Sequence, residues 1–158
     1  MSYSECFDPV AQKRLEGFYQ NFAGKGKANV AGGFIGGQLL GHWSQKGHDV
    51  HGTFHRDPPL NVPKGARLVR WDLREPLGTA HSADLLVHAA ACSKPDASMG
   101  ACLDANILGV RHVAEFAARE NIPVVCFLSS ISLYGRVKTS VLRQDDPMDS
   151  PAPYGLSK

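Results

Sequence analysis

The sequence has no apolar run approaching the roughly 18 residues that a membrane-spanning helix requires, which excludes a spanning segment of that kind. Its opening stretch, "MSYSECFDPVAQKR", lacks the apolar core of a secretory signal. Charge of one sign is equally scarce. A net +2 over 158 residues gives no electrostatic argument for nucleic acid or an anionic membrane as partner. Cysteine is sparse, and Cys6, Cys92, Cys102 and Cys126 show neither a C-x-x-C pair nor metal-ligand spacing. They read as free thiols, which favours the reducing cytoplasm, and no metal site is expected. What remains is an ordinary globular composition, 43% hydrophobic and 20% charged, long enough for one domain with a core.

Residues 1–27 stand apart. Leu15, Phe18, Tyr19 and Phe22 recur at helical spacing, so a short amphipathic helix is expected, followed by a "GKGK" linker. From residue 28 to 158, strand and helix patterns alternate. "ANVA" is a short first strand, and Ile35, Leu39, Leu40 and Trp43 then mark a helix face that Gly47 can terminate. "HDVHGTF" and "ARLVRWDL" read as the next strands, separated by a proline-rich loop. "ADLLVHAAA" and "PVVCFLSS" are apolar throughout and are expected to be buried on both faces. Between those two, Leu103, Ile107, Val110, Ala114 and Ala117 mark a second helix. Alternation of this kind predicts an α/β fold, a Rossmann-like, doubly wound parallel sheet with ligands at the carboxyl ends of its strands.

The residues at those strand ends are the ones with chemistry. "NVAGGFIGG", residues 29–37, has the glycines and the following helix start that cradle a pyrophosphate, although a glycine-rich corner without a ligand fits the same residues. At the second strand end Phe54 stands where a carboxylate would hold a ribose 2′-hydroxyl. Arg56, two residues on, can grip a 2′-phosphate; as a lone signal it is also an ordinary solvated arginine. Near the end of the chain, Tyr154 and Lys158 are four residues apart, on one helix face. An ammonium beside a phenol favours tyrosinate and makes it usable as an acid or base. With no residue following Lys158, that helical turn is expected to be poorly nucleated.

Taken in order, "GGFIGG", Asp72-Leu73, "HAAA" at 88–91, "NILGV" from Asn106, "SSISLYG" and "PYGLSK" resemble the extended short-chain dehydrogenase/reductases, in particular their NAD(P)-dependent epimerase/dehydratase branch. The resemblance covers residues 28–158 and implies the N-terminal part of such an enzyme, ending before the substrate-binding region. It implies hydride transfer on a carbonyl or alcohol carbon of a nucleotide sugar or similar substrate. The cofactor would be NADP, with NAD also open, and a homodimer is compatible with a full-length form. It implies Ser130, Tyr154, Lys158 and Asn106 as the catalytic set, Lys158 also holding the nicotinamide ribose. It implies Gly32, Gly33, Phe34, Ile35, Gly36, Arg56, Asp72, Leu73, Ala89 and Ala90 as cofactor contacts, together with Tyr154 and Lys158. One departure concerns the loop. Against the family's T-G-x-x-G-F-I-G, either the first glycine falls on Val30, or two residues are missing before Ala31; in both cases the tight turn is compromised. A non-catalytic dinucleotide-binding module and a truncated gene product are the competing readings.

Overall fold

The computed structural model describes residues 27–31, 34–58, 62–78, 82–93, 98–149 and 151–158. The amphipathic helix expected near the N-terminus lies outside the described residues. Strands β1 (Lys27–Ala31), β2 (Asp49–Phe54), β3 (Arg67–Arg70), β4 (Leu85–His88) and β5 (Val124–Phe127) form one sheet in the order β3-β2-β1-β4-β5. Every pairing is parallel. The chain winds outward from β1 to β3, then returns to place β4 on the other side of β1. That reversal opens a crevice beyond the carboxyl ends of β1 and β4, where sheets of this type bind ligands. The expected fold class is the observed one.

The first helix, α1 (Phe34–Gln45), lies on one face of the sheet. Leu40 and Trp43 pack there against Val50, Leu85 and Val87. Gly47 ends it with φ +81°; its N–H donates to Ser44 O and that of His48 to Trp43 O, the paired bonds that close a helix on a left-handed residue. Ile35, expected on the core face, is instead 53% exposed at the start of the helix, beside the crevice.

On the opposite face, α2 (Met99–Cys102), a π-helical turn (Leu103–Leu108) and α3 (Gly109–Arg119) follow without interruption. Val113, Phe116 and Ala117 pack against Leu86, Leu77 and Ile122. Ala117 is buried as expected, but the rest of the expected apolar row is displaced by one residue. Cys102, Asn106, Gly109 and Val113 face inward, while Leu103, Ile107 and Leu108 are exposed. At Gly109 the approach is close: a Cβ there would sit 3.0 Å from Leu73 Cβ, so a small residue is required at that position.

β5 lies where expected, but its burial does not follow the expectation. β4 is buried at all four positions, as its composition predicts, but Val124, Val125 and Phe127 of β5 are 38%, 48% and 37% exposed. Among the described residues β5 pairs only with β4, so it is an edge strand whose outer side nothing covers. After β5, a 3-10 turn (Ile131–Tyr134) leads into a loop that returns through a bridge between Gly135 and Asp149. The short helix α4 (Pro153–Leu156) follows.

Candidate functional site

The crevice is an open cleft of ≈ 1370 Å³ running along the carboxyl ends of the strands. The ends of β2, β3, β4 and β5 and the residues just after them contribute to it. At one end lie Phe54, His55 and Arg56 after β2, with Asp72 and Leu73 after β3. In the middle are Phe34 and Ile35 at the start of α1, and Ala89, Ala90, Ala91 and Cys92 after β4. At the other end are Leu128 and Ser129 after β5, with Tyr154 and Lys158. Gly36 is buried in the first turn of α1. Between Ala31, the last residue of β1, and Phe34, the first of α1, only Gly32 and Gly33 intervene, and both lie outside the described residues.

The β2–β3 end is rich in cations. Asp72 takes a bidentate ion pair from Arg74, through Nε and Nη2, and lies 3.3 Å from His55 Nε2. The Arg74 hydrogen bonds hold the Asp72 carboxyl well below the usual carboxylate range. Arg70 Nε donates to the backbone oxygen of His55, fixing the loop that carries Arg56. Arg56 itself is exposed at the cleft wall, and among the described residues it makes no ion pair. Leu73 is fastened from behind, where its carbonyl meets His112 Nδ1 at 2.7 Å.

The β5 end is organised by a buried amide. Asn106, 3% exposed, accepts from Cys92 N–H at 2.7 Å and donates to Cys92 O at 3.1 Å and Ser157 Oγ at 2.8 Å. Ser157 Oγ donates in turn to Tyr154 O at 2.7 Å. One side chain thus joins the segment after β4 to the turn that carries Tyr154 and Lys158. Gly155 lets that turn settle on the 3-10 segment, since a Cβ there would collide with Ser132 O. These contacts overturn the expectation of an unformed turn. Leu156, Ser157 and Lys158 donate their N–H groups to Ala152, Pro153 and Gly155, and Pro153 presets the first turn. Tertiary docking supplies what propagation along a longer helix would otherwise give. The structure therefore brings Tyr154, Lys158 and Asn106 into one neighbourhood. Ser130 is employed differently: its Oγ accepts from Ser132 N–H at 3.2 Å, capping the 3-10 turn, and Ser129 lines the cleft in its place.

The Lys158 ammonium lies 4.5 Å from the centroid of the Phe127 ring, and burial lowers its pKa from the ordinary value. His88, 2% exposed, stacks on the same ring with centroids 5.6 Å apart. Burial, with a smaller contribution from the Lys158 charge, lowers its pKa to about 4. Sequence reasoning singled out neither Phe127, Ser157, Arg74 nor Cys92. The roles of Phe127, Ser157 and Cys92 depend on partners far away in the chain, whereas Arg74 pairs with Asp72 two residues before it; the only local signal was their position at or beside a strand end or the Tyr-Lys pair.

A nicotinamide dinucleotide fits this donor set. The cleft is long and open, small alanines line its middle, a helix begins at its wall, and cations gather at one end. Among the described residues no group of histidine, cysteine, aspartate and glutamate is placed to hold a metal ion, and no helix is long and apolar enough to cross a membrane.

A comparison with curated proteins gives no match. Solved structures do match. A UDP-galactose 4-epimerase superposes with a TM-score of 0.77 at 24% identity, over 84% of this chain and 48% of that one. The Bordetella bronchiseptica enzyme WbmG, solved with NAD and UDP, gives 0.72 at 19%, over 85% and 47%. An NAD-dependent NDP-hexosamine 5,6-dehydratase, TunA, involved in tunicamycin biosynthesis, gives 0.71 at 26%, over 85% and 46%. The chain thus spans about half the length of these proteins. Residues 30–158 match the family model described as the NAD dependent epimerase/dehydratase family. With the sheet order, the strand-end cleft and the Tyr-Lys turn in agreement, the chain belongs to that family.

Proposed function

We propose that this chain is the dinucleotide-binding part of an epimerase/dehydratase-type oxidoreductase that acts on a nucleotide sugar. The observation that carries the reading is the single cleft that joins the cationic end at Arg56 to Tyr154 and Lys158. Arg56 would meet a 2′-phosphate, so NADP(H) is preferred over NAD(H). Asp72 and Leu73 would flank the adenine, with Gly32, Gly33, Phe34, Ile35 and Gly36 beside the pyrophosphate. Ala89 and Ala90 would leave room for the chain to pass close to the cofactor. Lys158 would hold the nicotinamide ribose. Bound there, the nicotinamide supplies hydride chemistry. The chain's own part is the proton: Tyr154 Oη gives or takes it at the substrate oxygen, while the Lys158 ammonium favours the phenolate. A nucleotide-sugar substrate is supported by the likeness to TunA, an NDP-hexosamine 5,6-dehydratase.

A second reading, a module that binds the dinucleotide without turnover, is favoured by Ser130, whose hydroxyl caps the 3-10 turn and does not line the cleft. Titration with NADPH and NADH, followed by nicotinamide fluorescence, tests what both readings share. Saturable binding supports them, and its absence for both cofactors removes both. Tyr154-dependent oxidation of NADPH with a nucleotide-sugar ketone then separates the enzyme from the module.

A further inference from the structure

The Tyr-Lys turn delivers an ammonium into a partly buried place, and the structure shows what receives it. Lys158 is half-buried, and no carboxylate comes within ion-pairing distance of its Nζ among the described residues. Its contact is the face of an aromatic ring, 4.5 Å from the centroid of Phe127. Such contacts hold a cation through the negative potential of the ring face. The ring itself is backed. His88 pairs with Phe127 across β4 and β5 in the sheet and stacks on it, 22° from parallel. His88 Nε2 is buried without a hydrogen-bond partner. A buried imidazole without a counter-charge is held neutral. A protonated one would repel the ammonium that shares its ring.

We propose that Phe127 is a positioning residue that seats the Lys158 ammonium on its ring face at the Tyr154 end of the cleft, with His88 as the neutral backing that holds the ring in place. The role rests on reading Lys158 as the partner of Tyr154. Its geometry does not depend on cofactor binding. A carboxylate in the same place would neutralise the ammonium and weaken its pull on a phenolate. An aromatic ring holds the cation while leaving its charge uncompensated. The pairing also explains an aromatic residue on a half-exposed edge strand, a position where β5 otherwise carries valines.

The test uses the isotope-labelled full chain without cofactor, so its failure is distinct from a failure of the cofactor reading. The expected results are an upfield ring-current displacement of the Lys158 Hε signals and nuclear Overhauser contacts between them and the Phe127 ring. Phe127→Leu should remove both and move the Lys158 titration to lower pH, because the group that favours the charged form is gone while burial remains. Phe127→Tyr should retain the displacement. Missing Overhauser contacts in the unaltered chain would overturn the proposal, whether or not either variant folds. So would a Phe127→Leu chain with native amide dispersion and unchanged Lys158 signals and titration.

Discussion

Arg56 and Asp72 divide the electrostatics of the β2–β3 end between them. The Asp72 carboxylate is engaged by Arg74 and His55, whereas Arg56 projects at the wall without an ion-pair partner among the described residues. A 2′-phosphate is therefore expected to meet a cation whose charge no neighbouring carboxylate offsets. A hydrogen bond to a charged group contributes about 1.5–3 kcal/mol. Arg56→Ala should weaken NADPH by about that amount and leave NADH nearly unchanged, as read by parallel fluorescence titrations. Equal losses for the two cofactors would contradict the assignment.

At the scale of elements, the decisive contact is the docking of α4. A four-residue helix has no stability of its own. It is held by Asn106, whose partners Cys92 and Ser157 lie 14 and 51 positions away. Asn106→Ala takes the acceptor from the half-buried Cys92 amide and a donor from Ser157 Oγ, which keeps its bond to Tyr154 O, and should cost about 1–3 kcal/mol in a urea melt. Amide exchange at residues 156–158 should accelerate more than that global loss explains. Uniform acceleration across the chain would mean that Asn106 supports the core rather than α4 in particular. The same elements show what a sequence discloses. β4 was legible because burial on both faces is written as an unbroken apolar run, and the end of α1 because Gly47 is one of few residues at ease at φ +81°. The inward placing of Gly109 and Asn106 was not, since the one follows from close approach to Leu73 and the other from hydrogen bonds to Cys92 and Ser157. Nor was the exposure of β5, because the composition of a strand does not say whether another strand lies beside it. The Tyr154–Lys158 spacing was legible; the residues that hold and seat it were not.

For the whole molecule, His88 makes stability depend on pH. Its pKa falls from 6.5 to about 4 on folding, because burial disfavours the charged imidazole. Between those values the unfolded chain binds a proton that the folded chain does not. Stability should therefore be complete above pH 6.5, fall as pH drops toward 4, and lose nothing more to this group below that. The total is on the order of 3 kcal/mol. Urea midpoints across that range should slope steeply for the unaltered chain and less for His88→Leu. Identical slopes would place the imidazole in contact with solvent.

The central claim is that one cleft along the strand ends receives a nicotinamide dinucleotide. The most direct test is an amide spectrum of the isotope-labelled chain titrated with NADP. The account predicts saturable shifts concentrated at Phe34, Ile35, Arg56, Leu73 and Ala89–Ala91, with Leu103, Ile107 and Leu108, exposed outside the cleft, unmoved. Shifts confined to other surfaces, or none at saturating cofactor, would contradict it.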